Sequence, residues 1–295
     1  MTKIRSIEDA VELISDGDVV GLQGGPTQCA PMAIVRELIR SGRRELWLVC
    51  LSAGLPVDWL AAAGCLAGCT FSAVSMERFG LCRRFRATVE TGDIVVEELS
   101  ETALYARLGA GSRGLPFLPT RGMIGTDLLE VSNDHLRLLD DPFGGPPVVA
   151  CRALTPDVAI LHAHRADRRG NVGVDPGVQY PTSTVMPRAS HRVIVTVEEV
   201  VETDELRRTP QLTILPGFAV DAVVPVRYGA HPTSLFPGYG YDARFFSEWV
   251  RAAMDADASL AFLDRYVRDP ETHDAYLKRV GGRARLAALE RWQDQ

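Results

Sequence analysis

Between residues 19 and 197 the sequence keeps returning to short, uninterrupted apolar runs, each separated from the next by a stretch of helical periodicity. Runs of this kind bury both faces of a strand, which is what a parallel sheet covered by helices requires. The first, Val19–Leu22 (VVGL), leads into Gly24-Gly25-Pro26, and residues 45–51 (ELWLVCL) give the next. Residues 68–74, 94–98, 148–150 and 158–162 continue the series, and 193–197 (VIVTV) is the clearest central strand.

The intervening segments read as helices. Ser6 caps a helix with Ile7, Ala10, Val11 and Ile14 on one face, and Ile34, Val35, Leu38 and Ile39 form the buried stripe of 32–41. Helices are likewise expected over 57–63, 79–90 and 102–110, with 115–126 a shaped loop rich in Pro and Gly. From Asp242 onward the chain reads as helical, over 243–256, 259–267 and 270 to the C-terminus. The expectation is an α/β fold with an open, mostly parallel sheet and helices on both faces. Residues 1–295 would form one domain, with 242–295 a helical extension.

Composition narrows the class further. The 295 residues are 46% hydrophobic and 24% charged, enough for a large core and typical of a globular chain. A net charge of −6 disfavours a nucleic-acid binder driven by phosphate neutralisation. The apolar windows are broken well short of a membrane span, and residues 1–9 are polar, unlike a secretory leader. Six cysteines without CxxC pairs suit a reduced, cytoplasmic protein. Of the 32 basic residues only Lys3 and Lys278 are lysines, so Schiff-base or P-loop chemistry has almost no candidate.

Several stretches could carry chemistry. Residues 21–28 (GLQGGPTQ) join a strand to a helix and are either a ligand-approaching loop or a plain tight turn; the pattern is neither GxGxxG nor a Walker loop. Glu97, Glu98 and Glu101 stand at a strand end, where parallel sheets form clefts. Alternation puts Glu97 and Glu98 on opposite faces, and Glu101 can serve the helix dipole. His162 and His164 alternate on a strand end, but no third residue gives metal-ligand spacing, so no metal is expected. Asp167 with Gly170-Asn171 reads as a tight turn, and His231 is held before Pro232. No GxSxG elbow is present, and Cys29 lacks a recognisable local base.

Taken together these stretches resemble the α-subunit of class I CoA-transferases, most closely in the glutaconate CoA-transferase branch. The matching pieces are GDVVGLQGG with PMAIVRELIRSGRREL, SMERFGLCRRFR, EELSETALYARLGAGSRGLPFLPTRGMIGTDLL, PDVAILHAHRADRRGNV and YGAHPTS, spanning 17–234. The resemblance implies partnership with a homologous β-subunit in an α2β2 heterotetramer, in which the β-subunit supplies the glutamate that carries CoA. CoA would enter as part of the substrate, with no tightly bound cofactor, and a small carboxylate would be the other substrate. The resemblance puts Gly24, Gly25, Gln28, Ser72, Ser75, Gly125, Thr126 and His231 beside substrate or CoA, with Ser75 and Arg78 suited to a distal carboxylate.

Relatives of the same subunit pair resemble ring-cleaving hydrolases, with a working glutamate near Glu98 or Glu101, and cofactor-free decarboxylases of 3-methylglutaconyl-CoA. Glu98 is the catalytic candidate. Gly24-Gly25-Pro26 departs from the family's usual GGF, so the resemblance does not carry over the shape of the acyl pocket. A ligand-sensing module of related fold is the remaining alternative, although no basic recognition helix precedes Gly17.

Overall fold

A computed structural model describes residues 2–131, 133–175 and 182–291. The strands are β1 (Val19–Leu22), β2 (Leu46–Ala53), β3 (Leu66–Val74), β4 (Val95–Glu98), β5 (Phe117–Thr120) and β6 (Leu136–Leu139). They continue as β7 (Val148–Arg152), β8 (Val158–Asp167), β9 (Val172–Gly173), β10 (Arg192–Val201), β11 (Thr213–Leu215) and β12 (Ala222–Pro225). The helices are α1 (Ile7–Val11), α2 (Met32–Arg40), α3 (Leu55–Ala62), α4 (Arg83–Glu90), α5 (Glu101–Gly111) and α6 (Leu128–Val131). After them come α7 (Thr182–Ala189), α8 (Thr203–Arg208), α9 (Ala243–Ala252), α10 (Ala256–Leu263), α11 (His273–Arg279) and α12 (Gly282–Glu290).

Strands β12, β10, β8, β1, β2, β3 and β4 lie parallel in that order. The short β9 pairs antiparallel with the far half of β8, and β11 with β9. Because the chain leaves β1 toward β2 on one side and later returns beside it as β8, the strand order reverses at β1. The carboxyl end of β1 is therefore where an open α/β sheet forms its ligand crevice.

Alternation divides the residues packed on the two faces of the sheet into two cores. Val20, Leu22, Leu48 and Cys50 face α2, α3 and the C-terminal helices, whereas Val49, Leu51, Val193 and Val195 face the side that α5 and α7 cover. Gly21 lies on the second side, where a Cβ would stand 2.7 Å from Met186 Sδ. The C-terminal helices join the first core through Trp59, Phe245, Trp249 and Phe262, whose rings meet at 5.2–6.1 Å. Buried Asp58 ties three helices there: it accepts from Phe85 N of α4 and from Trp249 Nε1 of α9, each at 2.8 Å.

The expected parallel α/β architecture is present, and the departures from it are local. The helix expected over 79–90 is split: Glu77–Phe79 form one 3₁₀ turn, and Gly80 at φ 101° redirects the chain before α4. The loop expected over 115–126 contains β5, which joins β6 and β7 in a separate three-stranded antiparallel sheet. Left-handed Gly281 and Gly282 divide the final helical segment into α11 and α12, and residues 292–295 lie outside the described part.

Candidate functional site at the carboxyl ends of the strands

Three loops converge where β1, β2 and β3 end. A Cβ on Gly54 would lie 2.5 Å from the Ser75 carbonyl oxygen and 3.0 Å from that of Pro26, so the close approach requires glycine. Gly24 adopts φ 120°, and a Cβ there would stand 2.8 Å from Ala30 Cα. Gly25 N donates to Gln28 O at 2.8 Å, closing the turn, and leaves the Gln28 side chain exposed. The turn is fixed from outside as well: Cys29 N donates to Ser234 O, and Ala30 N to Thr233 Oγ1.

The next loop brings Ser75 and Arg78 into one turn, with Met76 N donating to Gly80 O at 2.8 Å. Ser75 Oγ accepts from Glu77 N at 3.3 Å, while Arg78 is exposed and donates to Tyr241 Oη at 3.3 Å. Glu77, which sequence reasoning passed over, sits between them at φ 51° and accepts from Thr27 Oγ1 at 3.0 Å. Two polar atoms at these strand ends are buried with no hydrogen-bond partner, Gln23 Oε1 and Ser72 Oγ. Gln23 was readable as the polar residue ending an apolar run, but was not singled out.

At the sheet edge β4 separates its two glutamates, as alternation required. Glu97 turns inward and accepts from Arg107 Nη1 at 2.6 Å, Thr70 Oγ1 at 2.9 Å and His135 Nδ1 at 2.9 Å. Burial would raise its carboxyl, but Arg107, Thr70 and His135 outweigh that and hold it below the ordinary value. Glu97 is thus a structural anchor. Glu98 is exposed at the carboxyl end of this edge strand. Ser100 caps α5 by accepting from Ala103 N, and Glu101 occupies the first turn. Gly122 packs against them, since a Cβ there would meet Thr102 Oγ1 at 2.3 Å. That contact carries exposed Gly125 and Thr126 on the same loop, with Thr126 Oγ1 donating to Met123 O at 2.8 Å.

Two candidates have other roles. His231 does not border the strand-end surface: it is 0% exposed, with Nδ1 accepting from Tyr276 Oη at 2.6 Å and Nε2 donating to Asp242 Oδ2 at 3.2 Å. It locks the 231–234 loop to the C-terminal helices. Cys29 is buried, which pushes its thiol up to about 12, so it is no thiolate nucleophile. His162 donates to Glu198 Oε1 at 2.9 Å, and His164 donates to Phe236 O at 2.8 Å. Glu198 also accepts from Tyr228 N and Tyr239 Oη beside a cavity of about 540 Å3. Asp167 makes the expected turn, accepting from Arg169 N and Asn171 N.

The coenzyme A transferase family model matches residues 4–225, running from α1 through the last strand of the sheet. The chain belongs to the coenzyme A transferase family. It is 35% identical to the A subunit of a 3-oxoadipate CoA-transferase from Pseudomonas knackmussii, covering 95% of this chain and 99% of that one. An Archaeoglobus fulgidus protein is 36% identical over 98% of this chain, which spans only 64% of that longer relative. Among solved structures, glutaconate coenzyme A-transferase from Acidaminococcus fermentans superposes with a TM-score of 0.92 at 31% identity, covering 98% and 95% of the two chains. The decarboxylase AibA/AibB, solved as a cysteine-to-serine variant, gives a TM-score of 0.80 at 33% identity, covering 90% and 98%.

Proposed function

We propose that this chain is the α-subunit of a two-subunit CoA-transferase that moves CoA between an acyl-CoA and a small dicarboxylate of the glutaconate or 3-oxoadipate kind. The reading rests chiefly on the incompleteness of the strand-end site. It offers glycine turns, hydroxyls and an exposed carboxylate, yet its buried thiol is not a nucleophile and Glu97 is committed to Arg107. The edge strand β4 that carries Glu98 is apolar and open: Val95 is 61% and Val96 37% exposed. That edge suits a homologous β-subunit, which would bring the glutamate that carries CoA as a thioester. The likeness over nearly full length to the A subunit of the 3-oxoadipate enzyme, and in fold to the glutaconate enzyme, supports the division of labour.

In this reading the glycine turns at Gly24 and Gly25 let the acyl-CoA approach the backbone. Ser75 and Arg78 hold the distal carboxylate, since a guanidinium fork matches its two oxygens. Glu98 faces the reacting thioester from the α-subunit side. A cofactor-free decarboxylase of a 3-methylglutaconyl-CoA-like ester is the second reading, favoured by the likeness to AibA/AibB. The chain co-purified with its β-subunit should transfer CoA from an acyl-CoA to free glutaconate or 3-oxoadipate. Release of CO2 with no acceptor present, and no transfer, would replace the first reading with the second.

A further inference from the structure

The C-terminal helices form an open cavity of about 1030 Å3, walled by α9, the turn after α10, the end of α11 and the start of α12. Five arginines line it, Arg244, Arg251, Arg265, Arg279 and Arg285, against two carboxylates, Asp242 and Glu248. In a chain of net charge −6 this is a strongly positive wall. Both carboxylates are already engaged. Asp242 accepts from Arg285 Nε and Nη2 at 2.7 and 2.6 Å, and Glu248 accepts from Tyr266 Oη at 2.8 Å with Arg265 3.7 Å away.

The remaining guanidiniums are matched weakly or by no carboxylate. Arg244 makes no hydrogen bond or ion pair among the described residues, and Arg251 donates only to Ser247 O of its own helix. Seven residues apart, the two lie on one face of α9, about 10 Å along its axis. Arg279 donates to Arg265 O at 3.2 Å and reaches Asp269 at 3.8 Å, and with both side chains of that ion pair about half exposed the pair is weak. The first turn of α12 opens onto the same cavity with no side-chain cap, because Gly281 at φ 119° precedes it. Its free N–H groups add to the positive wall.

We propose that this cavity binds a small molecule carrying two or more linked phosphate groups. Arg244 and Arg251, which have no carboxylate partner, together with the weakly paired Arg279, supply the positive charge that two linked, ionised phosphates require. Guanidinium forks bind such oxygens bidentately. The volume is at the upper end of small-molecule pockets, about 300–1000 Å3, and so admits a nucleotide-sized molecule. The diphosphate can come from a nucleotide, from CoA itself or from free pyrophosphate. The cavity is built from helices beyond the family-matched segment 4–225, and the proposal does not depend on the transferase reading.

The test is calorimetric titration of the full-length chain, alone and with its β-subunit, using pyrophosphate, ATP, CoA and citrate at matched ionic strength. Saturable binding of one pyrophosphate per chain, weakened at least tenfold in Arg244→Gln/Arg251→Gln, is expected in both preparations. The charge reversal Arg251→Glu alone should weaken it similarly. ATP or CoA displacing pyrophosphate identifies the physiological source, and either supports the proposal. No saturable binding, equal affinity for citrate, unchanged binding in the variants, or loss of binding once the β-subunit is present would overturn it.

Discussion

Replacing Glu97 by Gln tests whether the β4 end is held by charge. The substitution keeps the shape but leaves Arg107, 2% exposed, without its carboxylate partner. Stranding one member of a buried pair costs about 3–5 kcal/mol, far more than the pair contributes net. At about 2–4 °C per kcal/mol the melting temperature should fall by at least about 6 °C. Arg107→Met should fall comparably, because Glu97 is then left buried. The double variant Glu97→Leu/Arg107→Met should recover most of the loss, giving strong non-additivity in a thermal-melt cycle. The pH dependence has a defined sign. Glu97 titrates below its ordinary 4.5 in the fold, so its stabilisation is complete above that value and lost as pH falls through the folded pKa. Single variants losing less than about 1 kcal/mol, or additive losses in the double, would refute the reasoning.

Glu98→Ala should lower turnover of the two-subunit complex at least tenfold, about 1.4 kcal/mol of barrier; near-normal rates in a steady-state assay would remove it from the chemistry. Gly24→Ala should abolish activity and destabilise the chain, because the new Cβ meets Ala30 Cα at 2.8 Å and φ is 120°; a fully active variant in the same assay would contradict the geometry. His231 and His164 are buried, burial being the largest cause of their lowered pKa, so the unfolded chain binds more protons below about 6.5. Stability should therefore fall as pH drops from 6.5, and His231→Gln should lessen that slope in melts taken across the range.

The parallel sheet was legible because both-face burial writes continuous apolar runs, and VIVTV lies inside β10 as expected. Strand order was not, since adjacency depends on where each crossover helix lands. Strand β5 was hidden by Pro119, which sits in the small antiparallel sheet opposite Ala150. For the site, alternation separated Glu97 from Glu98, but which one turned inward was decided by Arg107, ten residues on and one helix away. His231 resembled a loop residue near a cleft because its partners, Asp242 and Tyr276, come from C-terminal helices whose docking no local pattern reveals. The glycines at 24 and 25 were readable as a turn, whereas the contact of Gly54 with Ser75 and Pro26 exists only in three dimensions.

The central claim is that this chain lines the site while its partner carries the covalent intermediate. The direct measurement is peptide mass spectrometry of the two-subunit complex incubated with acyl-CoA and trapped with borohydride or hydroxylamine. The account predicts a modified glutamate in the β-subunit, with this chain unmodified, Glu98 included. A trapped adduct on Glu98, or on any residue of this chain, would contradict it.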